Sequence, residues 1–249
     1  FWARAAARQM HAVVSPSKHG SAFQRACGVP DDIVATVSNA IDPTAVSSGD
    51  ATGPRGELGV GPSDELIVFT SRIDSQKRPV EAVQMFAAVA DEFPNARLVF
   101  VGTGDQMTPV ADTAARLGVA DRVHLVGFRT DIADWLAATT VWILPTEREN
   151  FSVAVLEALA AGCPVLSTTC RGNDEVLVDR ENSLTFEVGD VEAGTTALRE
   201  LLSDPELRAS LSERGVATAQ HFGVERMVEE YFEVYSRAGT LEPMPGVTS

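Results

Sequence analysis

The stretch that most constrains this chain runs from Val141 to Thr169. Val141-Trp142-Ile143-Leu144 is a short, wholly apolar run, the pattern of a strand covered on both faces. Ser152 to Ala161 is rich in good helix formers and is stopped by Gly162 and Pro164. Val165 to Thr169 is a second strand. Strand, helix and strand in so few residues make a βαβ unit, and such a unit requires its two strands to be parallel.

The same alternation extends in both directions. From Leu66 the sequence predicts strands over Leu66–Thr70, Arg97–Val101, Val123–Val126, Val141–Leu144, Val165–Thr169 and Ser183–Phe186. Helices are expected over Val80–Phe93, Met107–Leu117, Ile132–Ala137 and Ser152–Ala161, with a short one near Asp174–Val178. Ala193–Leu202, Pro205–Gln220 and Val224–Arg237 complete the helical set. The fold class is therefore α/β, a Rossmann-like, doubly wound parallel sheet. Upstream, Phe1 to Met10, Ala12–Ser15, Pro16–Cys27 and Ile33–Val37 read as helix, strand, helix and strand. Residues 43–63, rich in Gly, Ser, Pro and Thr, read as a linker loop, and residues 239–249 as a disordered tail.

Composition removes several classes of function. A net charge of −15 argues against nucleic acid as a partner and against tight binding to an anionic membrane face. No apolar run reaches the roughly 18 residues of a membrane span. Cys27, Cys163 and Cys170 have neither metal-ligand spacing nor an even-numbered framework, so they read as reduced thiols in a reducing cytoplasm. The four histidines form no Ser/His/Asp or metal cluster in the sequence, and no Asp-x-Asp metal motif is present. Neither a metal nor a cofactor is expected. The chain opens at Phe1-Trp2 without Met, and the expectation is a fragment or a processed product.

Glu157 is the odd residue of the central helix. One turn away on either side lie Val153, Ala154, Ala160 and Ala161, so a carboxylate sits among small apolar neighbours. Burying a charge costs several kcal/mol unless a polar group meets it, and a ligand hydroxyl would serve. Glu149 lies in the loop leaving the preceding strand, at the carboxyl edge of the sheet where open α/β proteins bind ligands. The amides of Asn150, Phe151 and Ser152 stand at the helix start, with unpaired donors. Arg72 and Lys77 occupy the loop after the first strand of the main sheet, and two cations there suit a diphosphate. Gly102 and Gly104 follow the second strand and allow close backbone approach to a ligand, but the dinucleotide fingerprint is not completed.

The run Glu149-Asn-Phe-Ser through Glu157-Ala-Leu-Ala-Ala-Gly-Cys-Pro-Val resembles the signature of retaining glycosyltransferases of the GT-B fold, family 4, also called group 1. That signature has two Glu separated by seven residues, followed by a small-residue helix, Gly, any residue, Pro and Val. Asn150 and Ser152 depart from it, since glycine is usual at both. Ser71-Arg72 to Lys77-Arg78 resembles the family's phosphate-binding segment, with Ser71 and Arg78 standing where glycines are usual.

The resemblance implies a C-terminal donor-binding domain over 64–220, a crossover helix over 221–238 that packs back on the N-terminal domain, and the end of that acceptor-side domain with its hinge over 1–42. It implies that Arg72 and Lys77 hold the diphosphate, that Glu157 takes the ribose hydroxyls, and that Glu149 positions the donor sugar together with the amides of Asn150, Phe151 and Ser152. Gly102 and Gly104 would lie near the nucleotide, Phe128 and Arg129 would read the base, and Gly172 and Glu175 would line the donor side. Arg72, Lys77 and Glu149 are the catalytic set it implies, with no metal. The expected partner is a nucleotide sugar, UDP-hexose before GDP-sugar, with a glycan, lipid, envelope polymer or small molecule as acceptor. The rest of the N-terminal domain would be absent from this chain, which alone would bind nucleotide but turn over poorly. Any attachment to the inner membrane face would run through that absent domain. A GT-B epimerase, a non-catalytic module or inactive fragment, and a dehydrogenase-type domain are the rival readings.

Overall fold

The computed structural model describes residues 10–239. Helix α1 (Lys18–Ala26) follows strand β1 (Val13–Ser15) and leads to β2 (Val34–Thr36), and the two strands pair in parallel as a separate two-stranded sheet. The helix expected over Phe1 to Met10 lies, except for Met10, outside the described residues, as does the tail from 240 onward.

The main sheet holds β3 (Glu65–Thr70), β4 (Ala96–Val101), β5 (Val123–Gly127), β6 (Val141–Leu144), β7 (Val165–Thr168) and β8 (Leu184–Phe186). Their order is β5-β4-β3-β6-β7-β8, and every pairing is parallel. This is the Rossmann-like sheet the alternation predicts. The chain winds outward from β3 to β5, crosses back to lay β6 against β3, and winds outward the other way. The order therefore reverses between β3 and β6, and the crevice beyond their carboxyl ends is the switch point at which such sheets bind ligands. Across that seam the Trp142 indole N–H donates to Thr70 Oγ at 2.7 Å.

Residues of β3 alternate between the two faces. Ile67 and Phe69 pack under α4 (Pro79–Val89) and α5 (Met107–Arg116), in the larger core completed by α7 (Val153–Ala160), α8 (Val191–Ser203) and α9 (Pro205–Gln220). Leu66 and Val68 face a smaller cluster with Trp135 of α6 (Ile132–Ala137).

Residues 43–63 are not the loop their composition implies. They form α2 (Pro43–Ser47) and α3 (Thr52–Leu58). Asp42 caps α2 by accepting from the Thr44 amide at 2.9 Å, and Pro43 occupies the first turn, where its missing N–H costs nothing. Gly59, with φ +66°, closes α3 in the left-handed conformation. Ala51, Leu58 and Val60 pack on the smaller cluster, so the segment covers one face of the sheet. Tertiary burial outweighed a composition poor in helix formers.

The short helix expected near Asp174–Val178 is instead a series of turns. The amides of Asp174, Val176 and Leu177 still donate to backbone carbonyls, but side chains take those on either side, so the turns do not extend into a helix. Asp174 accepts from the Gly172 amide at 2.9 Å, and Asn182 accepts from the Val178 amide at 2.8 Å.

The last helix, α10 (Val224–Arg237), returns to the small sheet. The Ile41 amide donates to the Phe222 carbonyl at 3.0 Å, and the Arg226 guanidinium donates to the Ser38 carbonyl at 3.0 Å. No helix among the described residues is long and apolar enough to cross a membrane.

Candidate active site

A cavity of about 270 Å³ opens at the switch point. Its floor comes from the ends of β3 and β4 (Thr70, Ser71, Val101, Gly102, Thr103), and Ile132 of α6 and Ala154 of α7 supply apolar walls. Arg72, Phe128, Arg129 and Glu157 complete it. Four of the residues singled out in the sequence, from three separate segments of the chain, thus share one cavity with Gly102.

Glu157 is half-buried against this space, and its carboxylate meets no hydrogen-bond donor or cation among the described residues. Burial holds its carboxyl above the usual carboxylate range. A carboxylate turned into a mostly apolar cavity without a partner is an acceptor waiting for a hydroxyl. At the mouth, Phe128 presents an exposed ring, 74% accessible. Beside it the Arg129 guanidinium is fixed by Asp131 at 2.8 Å and Glu57 at 3.2 Å and lies over the Trp135 ring, 5.4 Å from its centroid. Arg129 in turn holds the Asp131 carboxyl below its usual range.

The loop after β3 divides the two cations. Arg72 extends into solvent, held by Asp74 at 3.0 Å. Lys77 is buried, and its ammonium meets Glu149 Oε1 at 2.5 Å, with both side chains about nine-tenths covered. Lys77 therefore does not line the cavity with Arg72; it is joined to Glu149 next to it. Gln76 fastens the two loops together. Its side chain donates to the Arg148 carbonyl at 2.8 Å, and its own carbonyl accepts from the Glu147 amide at 2.8 Å. Arg78 has φ +52°, the left-handed conformation for which glycine is favoured, and its guanidinium is bound to Glu81.

The glycines serve contacts between loops. A Cβ on Gly102 would stand 2.0 Å from the Ser71 carbonyl oxygen, and one on Gly104 would stand 2.1 Å from that of Ile73. Only bare backbone lets the loop after β4 rest on the loop after β3, so the close approach expected toward a ligand is made first to the neighbouring chain. Gly172, with φ +95°, lies in the same way under the Glu149 carbonyl, 2.4 Å from where its Cβ would be.

The remaining expected residues point elsewhere. Ser152 caps α7 by accepting from the Val155 amide at 3.4 Å. Phe151 is buried with its ring 5.4 Å from that of Phe222, and its carbonyl accepts from Asn39 at 3.0 Å. Asn150 accepts from the Ser17 hydroxyl at 2.9 Å. Glu175 accepts from the amides of Lys18 and His19 at the start of α1, at 2.8 and 3.0 Å. Asn150, Phe151 and Glu175 thus face the segment before the main sheet.

Sequence reasoning missed Thr70, Val101, Thr103, Ile132 and Ala154 as lining, although three of these sit at or just past strand ends on the carboxyl edge, a signal that was available. Glu57 and Gln76 carried none. A more open hollow of about 430 Å³ beside β8 is lined by Asp179, Arg180, Asp190, Glu192 and Glu200. Several of its charges are already engaged: Arg180 pairs with Glu200 at 2.8 Å, and Asp190 caps α8. Among the described residues, no three His, Cys, Asp or Glu side chains cluster as metal ligands would.

An open parallel sheet whose switch-point cavity gathers an unpartnered carboxylate, an exposed aromatic ring and an arginine has the arrangement of a ligand-binding α/β protein. The group 1 glycosyl transferases match residues 55–218, and the chain belongs to that family. It is 30% identical over 207 residues to the N-acetyl-alpha-D-glucosaminyl L-malate synthase of Bacillus anthracis, covering 83% of this chain and 54% of that protein. It is 30% identical to the D-inositol 3-phosphate glycosyltransferase of Segniliparus rotundus, covering 80% of this chain and 46% of that one. The chain thus spans about half the length of these curated relatives. Among solved structures it superposes on Anabaena HepE, in complex with UDP and glucose, with a TM-score of 0.86, 21% identity and coverage of 94% of this chain and 66% of that one.

Proposed function

We propose that this chain is the donor-binding part of a retaining glycosyltransferase that takes a hexose from a nucleoside-diphosphate sugar, with UDP as the favoured carrier and GDP second. The observation that carries this reading is Glu157, an unpartnered and half-buried carboxylate aimed into the switch-point cavity. In the proposal it accepts hydrogen bonds from the ribose hydroxyls, while the base lies against Phe128 and the backbone beside Arg129. The preference for UDP draws on Anabaena HepE, which has been crystallised with UDP-glucose.

Arg72 reaches the diphosphate from the solvent side. Lys77 is already fixed by Glu149, and in the reading it turns part of its charge to the phosphate while Glu149 turns to a sugar hydroxyl. As the glycosidic bond breaks, negative charge gathers on the departing phosphate, and the two cations stabilise it where it develops. Configuration is retained by attack of the acceptor hydroxyl on the face the leaving group vacates, and the leaving phosphate oxygen takes the acceptor proton. No side chain need act as nucleophile. The countercharge is assigned to Arg72 and Lys77 rather than to a divalent cation.

Residues 64–220 are proposed as the donor domain, 1–42 as the end of an acceptor-side domain and 221–238 as the crossover helix. The acceptor is a glycan, a lipid, an envelope polymer or a small molecule bound largely outside this chain. The proposed location is the cytoplasm.

Calorimetric titration with UDP, GDP and ADP tests the reading. One nucleotide is expected to bind at micromolar Kd, and Glu157→Ala and Arg72→Ala are each expected to weaken it about tenfold or more, the effect of a lost charge-assisted hydrogen bond. Binding unaffected by either change would refute the assignment of the site.

A further inference from the structure

We propose that Asn150 is a positioning residue: it ties the loop carrying Glu149 to the amino-terminal start of α1, so that the setting of Glu149 depends on where the segment before the main sheet lies. The role assigned to Glu149 rests on the donor-site reading above; the tether itself does not.

The Ser17 hydroxyl is fully buried and uses both of its capacities. It accepts from the Gly20 amide at 2.9 Å, capping α1, and donates to Asn150 Oδ1 at 2.9 Å. Gly20 faces this contact and leaves little room for a side chain. A Cβ there would lie 2.0 Å from Ser15 Oγ and 3.2 Å from Asn150 Oδ1. One residue on, Asn39 donates to the Phe151 carbonyl at 3.0 Å. Consecutive residues of one loop are thus gripped by two points of the preceding segment, one from α1 and one from the stretch after β2.

The other side of the loop is fixed to the main sheet. The Glu149 amide donates to the Arg171 carbonyl at 2.9 Å, and the Glu149 carboxylate holds Lys77. Glu149 is therefore the junction between a grip from the donor side and a grip from the amino-terminal side. With glycine at position 150, the residue the family signature usually carries there, no side chain would reach Ser17. Asn150 turns a departure from that pattern into a contact that transmits position. A shift of α1 relative to the main sheet must break the hydrogen bond to Ser17 or drag residues 149–151 with it.

Hydrogen–deuterium exchange on the full chain, without ligand, decides the tether. In Asn150→Ala the Glu149 amide, which donates to the Arg171 carbonyl, is expected to exchange about tenfold faster, because local opening no longer breaks the bond to Ser17. Asn150→Asp, which keeps the acceptor, is expected to restore protection. Ser17→Ala is expected to reproduce the Asn150→Ala effect in the loop besides loosening α1. Unchanged exchange of the Glu149 amide in Asn150→Ala, or a Ser17→Ala effect confined to α1, overturns the tether. The functional half is read from the ratio of UDP-glucose to UDP affinity in the same variants. A drop in that ratio in Asn150→Ala, recovered in Asn150→Asp, supports the positioning of Glu149. Faster exchange with an unchanged ratio refutes that role. A wild-type chain that binds neither ligand defeats the donor-site reading, while the exchange data still decide the tether.

Discussion

Glu157 shows how one residue can set function against stability. Burial without a partner raises its pKa, so the folded chain binds that proton more tightly than the unfolded one. The stability this provides is full below the ordinary carboxylate range and is lost as pH rises through the raised folded-state value. Glu157→Gln removes the charge while keeping the shape. Thermal unfolding of the ligand-free protein near neutral pH is expected to show the variant melting roughly 2 °C above wild type, with the gap closing toward pH ~4. The same variant is expected to bind nucleotide more weakly. Equal melting temperatures across the whole range would mean that the carboxylate is not desolvated as described. That Glu157 stands out in the sequence is a consequence of helical periodicity, since its neighbours at one turn are small and apolar. Its lack of a protein partner, and the pairing of Lys77 with Glu149 where Lys77 was expected to stand beside Arg72 at the cavity, were not readable, because loop side chains find partners only through tertiary placement.

Among the elements, the two loops at the carboxyl edge are built to lie on each other. Gly102 has φ +149° and no room for a side chain under the Ser71 carbonyl. Gly102→Ala is expected to cost about 2–4 kcal/mol in denaturant unfolding and to displace Arg72's loop, weakening nucleotide binding as well. Gly118 supplies the comparison: its φ is +75°, but a Cβ there would meet no atom within 4 Å. Gly118→Ala is expected to cost only the left-handed strain, about 1 kcal/mol, and to leave binding alone. Similar losses for both would mean that backbone strain alone, and not loop contact, explains Gly102. The strands and long helices of the main sheet were legible because their apolar runs and periodicities are local signals. The helices at 43–47 and 52–58 were not, because Leu58 and Val60 become structural only against Leu66, Val68 and Trp135, which the sequence places elsewhere.

Across the whole molecule, burial sorts the three cysteines. Cys163 and Cys170 lie within the core, and burial pushes the Cys163 thiol up to about 12. Cys27, after α1, is only partly covered. Alkylation at pH 8 followed by mass spectrometry is expected to modify Cys27 in the native chain, and Cys163 and Cys170 only once denaturant unfolds it. Early modification of Cys170 under native conditions would instead indicate that the loop beside it opens on its own.

By itself the sequence determined the class of fold, the strand-by-strand alternation and the placing of Arg72, Lys77, Glu149 and Glu157 near one sheet edge. Each of these follows from short-range periodicity and from the rule that parallel strands need crossovers. Tertiary structure alone decided which of those groups face the cavity and which face one another. It also turned Asn150, Phe151 and Glu175 toward α1 and the stretch after β2, because a polar group takes whichever partner packing brings within hydrogen-bond reach, however far away that partner lies in the chain.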